Sequence, residues 1–145
     1  MASTLPRIAY GFLSQSADPI NVKLPWQTSH KDGLFKMNYK PEDAAVDNLR
    51  FWAKTNKGEY VMDLKFGLDI RRHLFSPIPI LKDNVIQNAR EQLPIYFPEI
   101  EVVKIEVLTN EEISEISQNH VIFKFDGFLK VDKTRRIELE ETIGQ

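Results

Sequence analysis

The hydrophobic period changes along the chain, and this change limits the fold more than any other feature of the sequence. In the last third, Val103, Ile105 and Val107 alternate with Lys104 and Glu106. Val121, Phe123 and Phe125 alternate with Ile122, Lys124 and Asp126, and Ile137 and Leu139 alternate with Arg136, Glu138 and Glu140. Successive side chains of a strand point to opposite faces, so each segment predicts a strand with one apolar face. Upstream the period is helical. Ala45, Leu49 and Trp52 recur at i, i+4 and i+7, with Val46 and Ala53 beside them, which predicts a helix over 41–54. Pro41 suits its first position, Glu42 and Asp43 suit the positive end of its dipole, and Asn56 and Gly58 supply stop signals. Val85, Ile86, Ala89 and Leu93 predict a second helix over 82–93, which Pro94 should end or kink. Helices followed by consecutive amphipathic strands predict an α+β fold, with the helices packed on one face of a small, mainly antiparallel sheet.

The connections are read from turn chemistry. Glu59–Met62 reads as a short strand after an Asn-Lys-Gly turn, Phe66-Gly67 as a bend, and 68–75 as a short helix. Ser76-Pro77-Ile78-Pro79-Ile80 reads as an extended spacer, and 110–113 as a single helical turn. Residues 1–42 are set apart from the 43–145 domain by Pro6, Pro19, Pro25 and Pro41 and by the lack of any sustained period. Ile8, Tyr10, Phe12, Leu13, Trp26, Leu34 and Phe35 are nevertheless too apolar for a solvated linker. The segment is therefore an extended arm, either folded over its own domain or ordered by a partner, with Trp26 as a candidate contact. Three amphipathic strands cannot close into a barrel, so at least one sheet edge should be open. Lys130, Lys133, Arg135 and Arg136 would protect that edge, or the run Arg135, Arg136, Ile137, Glu138, Leu139 and Glu140 would accept another chain's strand.

Composition removes several function classes. The chain of 145 residues has no cysteine, which excludes disulfides, thiolate metal sites and cysteine nucleophiles. Its formal net charge of −2 gives no general attraction to nucleic acid or anionic membrane. Met1–Arg7 lacks the features of a secretory signal and no apolar run approaches a membrane span, so the expectation is a soluble protein assembled inside a cell. His30, His73 and His120 lack ligand spacing, and the six glycines are scattered. No nucleophile elbow or phosphate loop is present, so no catalytic residue, metal or cofactor is expected. Arg71-Arg72-His73 and Lys133-Thr134-Arg135-Arg136 are basic, but acids surround both, and solvated faces or protein salt bridges explain them better than nucleic acid does.

The segment Thr55–Phe75 resembles the small baseplate wedge family of contractile-tailed phages, a family related to a baseplate component of type VI secretion systems. Thr55, Gly58, Glu59, Phe66, Gly67, Leu74 and Phe75 match its pattern in order: a helix ending in threonine, a Gly-Glu turn, a Phe-Gly bend and a Leu-Phe helix end. A proline-interrupted spacer, a helix and a Pro-containing turn follow, from Pro79 to Val107. The good match covers about 45–108. One departure stands out: Phe97-Pro98-Glu99 replaces the family's Glu-Pro-Arg signature, so the proline is kept and the flanking charges are not.

The resemblance implies a structural subunit in the virion's tail baseplate, with no turnover. It would clamp the wedge core and template the first tail-sheath ring in a six-fold hetero-oligomer of wedge and sheath proteins, without nucleic acid or membrane. Lys57, Gly58 and Glu59 in the presented turn, Arg71, Arg72, Phe97, Pro98 and Glu99, and the Arg135–Glu140 edge would face those partners. The same family is often labelled lysozyme-like, which makes peptidoglycan cleavage the rival reading. Glycoside hydrolysis needs two carboxyls across one cleft, one of them with a raised pKa, and Glu59, Asp63 and Asp69 are the candidates. A regulatory adaptor using the arm is a third reading, distinguished by stoichiometry.

Overall fold

A computed structural model describes residues 18–115 and 119–144. Ile8, Tyr10, Phe12 and Leu13, which the arm reading used, lie outside them. The chain divides into two compact units, 1–47 and 48–145, with the division inside the first helix.

In the first unit the prolines keep regular structure short, as expected. Strands β1 (Asn21–Val22) and β2 (Met37–Asn38) form a two-residue antiparallel ribbon. The ribbon is fixed to the start of helix α1 (Pro41–Lys54) by the buried Asp47. One carboxylate oxygen of Asp47 accepts from the Leu24 N–H at 3.0 Å and from the Asn38 amide at 2.6 Å. A buried carboxylate needs such donors. Beyond the ribbon, Asp32 accepts from the Tyr39 hydroxyl at 2.7 Å, and that bond first of all lowers the Asp32 pKa. Trp26 stacks at a tilt on Phe35, 5.9 Å between centroids, and stays 74% exposed.

The second unit carries the core. Helix α1 forms where its period places it, and its Leu49, Trp52 and Ala53 are buried. Strands β3 (Ile100–Leu108), β4 (His120–Leu129) and β5 (Arg136–Gly144) make an antiparallel sheet in the order β3-β4-β5. Val121, Phe123, Phe125, Ile137 and Leu139 line one face, and Trp52 meets Phe123 and Phe97 edge-on at 6.1 and 5.8 Å. Truncating a fully buried tryptophan in such a cluster costs about 3–5 kcal/mol. Helix α2 (Ile70–His73) lies against β5, and helix α3 (Ile78–Tyr96) against β3. The α+β architecture expected from the sequence is the one observed.

Four local expectations are corrected. Glu59–Met62 is a series of turns, not a strand: the Asp63 N–H donates to Tyr60 O and the Phe66 N–H to Asp63 O, each at 3.1 Å. With its polar backbone groups used inside the loop, the segment has no ladder to join. The 68–75 helix shortens to α2, flanked by the buried Leu68 and Leu74. The extended spacer ends early, because α3 begins at Ile78 with Pro79 in its first turn, where a missing N–H costs no intrahelical bond. Pro94 lies inside α3, which does not end there but runs two residues further, to Tyr96.

Val103 does not share a face with Ile105 and Val107. The register passes from Val102↔Gly127 to Lys104↔Asp126, so Val103 is the extra residue of a bulge and is exposed. Gly127 permits that close approach: a Cβ there would lie 2.6 Å from the Glu101 carbonyl oxygen.

Candidate assembly surface

The Thr55–Phe75 segment is organised around a side chain that the sequence patterns did not single out. Gln92 on α3 is buried, and its Oε1 accepts from Trp52 Nε1 at 2.9 Å and from the Gly67 N–H at 3.2 Å. Its Nε2 donates to the Gly67 carbonyl at 2.9 Å. The available signal was a polar residue on an apolar stripe, since Val85, Ala89 and Gln92 follow one another at helical spacing. Gly67 has φ +118°, and a Cβ would sit 2.5 Å from the Thr55 carbonyl oxygen. The Leu68 and Asp69 N–H groups donate to the carbonyls of Trp52 and Thr55. These bonds satisfy orphan carbonyls at the end of α1. Thr55 in turn donates from its hydroxyl to Phe51 O at 2.7 Å.

The outer part of this loop is ordered but turned to solvent. Gly58, at φ +91°, donates its N–H to Leu64 O at 2.9 Å and closes the loop neck. Glu59 accepts from the Asn56 N–H at 2.8 Å and from the Asn56 amide at 2.7 Å. Those two bonds, in that order, lower its pKa, with a smaller contribution from Arg71. Lys57 donates to Asn88 at 2.9 Å. At the apex, Val61 is 87% and Met62 85% exposed, and Leu64 is exposed beside them. Isolated exposed apolar residues are ordinary, but three on one braced apex form a patch.

Beneath the apex lies an open cleft of about 480 Å³ lined by Phe51, Tyr60, Phe66, Tyr96, Asp63 and Glu99 among others. Phe66 is its centre, 5.1 Å from both Tyr60 and Tyr96 and 5.9 Å from Phe51. The Tyr96 hydroxyl donates to Asp63 Oδ2 at 2.7 Å, and the Lys65 N–H to Oδ1 at 2.9 Å. The Tyr96 bond is the main reason that the Asp63 pKa is lowered and that of Tyr96 raised. Of the Phe97-Pro98-Glu99 turn, Phe97 is a core residue and Pro98 and Glu99 are exposed. Lys130 pins the turn, its Nζ donating to Pro98 O at 2.6 Å and its N–H to Glu99 O at 2.9 Å.

The remaining sequence-derived residues are dispersed. Arg71 and Arg72 are exposed on α2, and Arg72 Nη1 lies 3.9 Å from the buried Asp69. Arg135 belongs to the β4–β5 turn, where its Nε donates to Asp132 at 3.0 Å. Arg136 opens β5 and binds Asp126 through two nitrogens at 2.9 and 2.7 Å, with Glu138 2.9 Å away. Glu140 pairs with Lys124 at 3.0 Å. Ile137 and Leu139 give their side chains to the core, which leaves only their backbone to a partner. With β4 central, the outer edges of β3 and β5 pair with no strand among the described residues. Glu59, Phe97 and Glu99 thus surround the loop and cleft, while the β5 residues form a second region.

Among the described residues no cluster of three His, Cys, Asp or Glu is placed to hold a metal, and no helix is long and apolar enough to cross a membrane. No protein-family model matches the sequence, and no curated protein matches it. Among solved structures, the chain is similar to a protein from Geobacter sulfurreducens described as a candidate tail lysozyme. The two share 22% identity at a TM-score of 0.56, over 72% of this chain and 91% of that one. It is also similar to a chain of the six-fold symmetrised baseplate of the anti-feeding prophage. There the identity is 16% and the TM-score 0.61, over 77% of this chain and 85% of that one. At these identities the likeness is one of fold.

Proposed function

We propose that this chain is a structural subunit of a contractile tail baseplate, joining wedge proteins and offering its terminal sheet to the first ring of tail sheath. The observation that carries the reading is the outer edge of β5, which pairs with no strand among the described residues, on a sheet that buries one face with Val121, Phe123, Phe125, Ile137 and Leu139. A strand added there gains main-chain hydrogen bonds, while the alternation of Arg136, Glu138 and Glu140 sets the register. The fold shared with a chain of a baseplate supports the same reading. The protein would act in the virion, in multiples of six, without catalysis, cofactor or nucleic acid. A mass-spectrometric inventory of purified tail particles tests this: the chain is expected in six-fold stoichiometry with baseplate and sheath proteins, and its occurrence outside such particles would refute the reading.

Peptidoglycan cleavage is the rival, favoured by the description of the Geobacter protein. Its acids have other occupations here. Glu59 caps its own turn and Asp63 is bonded to Tyr96, and both pKa values are lowered, the reverse of what a general acid requires. Asp69 is buried, in a left-handed backbone conformation at the start of α2. A peptidoglycan zymogram of the folded chain is expected to show no clearing, and clearing lost on Glu59→Gln would establish the enzyme.

A further inference from the structure

The cleft between the end of α1, the 55–69 loop and the end of α3 has no part in strand addition, and its chemistry is selective. Four aromatic rings in mutual contact turn partly exposed surfaces into it, Phe51 at 45% and Tyr60 at 38%. Its charged groups are both carboxylates, Asp63 and Glu99, and no Lys, Arg or His is among the described residues that line it. The Tyr96 hydroxyl has already committed its hydrogen to Asp63. The Glu99 carboxylate makes no side-chain hydrogen bond or ion pair within the described structure. Ring faces carry negative potential and attract cations within about 6 Å of their centroids. Carboxylates accept charge-assisted bonds from a guanidinium in a planar fork.

We propose that this cleft receives an arginine side chain of a protein partner, the guanidinium lying over the Phe66 cluster and donating to Asp63 and Glu99. The occupant belongs to a protein because the same loop presents Val61, Met62 and Leu64 beside the cleft. Such an aliphatic apex would be buried by a polypeptide flanking the arginine. About 480 Å³ of open space is ample for one side chain and its backbone. The proposal rests on the reading that the chain docks on other proteins, and it names the chemistry of one contact.

The test is an NMR titration of the full chain, following ring and amide resonances, with the peptide acetyl-Gly-Arg-Gly-amide. Its citrulline counterpart and chitotriose serve as comparison ligands. Saturable shifts centred on Phe51, Tyr60, Phe66 and Tyr96 are expected with the arginine peptide. Affinity should fall about ten-fold or more with citrulline and about ten-fold on Asp63→Asn, as loss of a charged hydrogen-bond partner implies. Phe51→Ala should weaken binding as well, and denaturant titration of each variant separates lost binding from lost folding. An equal response to arginine and citrulline, no response to arginine, or chitotriose shifting the same rings regardless of Asp63 would each overturn the proposal. None of these outcomes bears on β5, whose exposed edge is read by different residues and a different experiment.

Discussion

The 55–69 loop has two sides governed by different constraints. On the inner side, Thr55, Gly67 and Gln92 leave no freedom: every polar group is bonded and Gly67 has no room for a Cβ. On the outer side, Val61, Met62 and Leu64 make no comparable contacts, although the backbone that carries them is braced by Gly58, Glu59 and Asp63. Of the residues that make the segment resemble a known pattern, Thr55, Gly67 and Leu74 are buried and serve the fold, while Gly58, Glu59 and Phe75 are exposed. The exposed apex side chains, Val61, Met62 and Leu64, are where a partner would be chosen.

The sharpest way to break that contrast is Gly67→Ala. A left-handed backbone carrying a Cβ into the Thr55 carbonyl is expected to cost roughly 3–5 kcal/mol, measured by denaturant unfolding; a loss under about 1 kcal/mol would mean that the bend relaxes freely. Gln92→Leu comes next. It strips partners from the Trp52 N–H and from both backbone groups of Gly67, for an expected loss of roughly 2–3 kcal/mol.

A smaller effect separates the cleft from the core through pH. The Asp63 pKa is depressed in the folded chain, chiefly by the Tyr96 hydroxyl. Its contribution is therefore fully present above the unfolded value of about 4 and is lost as pH falls through the folded one. Asp63→Asn should remove that contribution, lowering stability modestly at neutral pH, flattening its fall with acid, and bringing variant and parent together at low pH. The smallest effect belongs to the apex: Val61→Asn and Met62→Gln should each shift stability by no more than about 0.5 kcal/mol, as read by thermal melting.

The same contrast explains what was legible in the sequence. Helix α1 and strands β4 and β5 could be read because their apolar residues mark one buried face, and periodicity reports burial. Tyr60-Val61-Met62 misled because its apolar, strand-favouring residues are turned to solvent, so composition and burial disagree. The Val103 bulge leaves no periodic trace, since it depends on Gly127 of the neighbouring strand. Residues 76–80 read as an extended spacer because of their prolines, yet the first turn of α3 tolerates Pro79. Of the candidate surface, the turn and edge segments could be singled out in the sequence, but the cleft could not. Phe51, Phe66, Tyr96 and Glu99 come from three separate stretches, and only the folded chain brings them together.

The central claim is that β5 is an edge kept for another chain's strand. Residue-resolved hydrogen exchange across Arg136–Gly144, compared between the isolated chain and assembled tail particles, tests it most directly. In the isolated chain, alternate β5 amides pointing away from β4 should exchange quickly and the others slowly. On assembly the fast set should become protected by about ten-fold or more. Exchange that stays fast at those amides in the particle would contradict strand addition at β5.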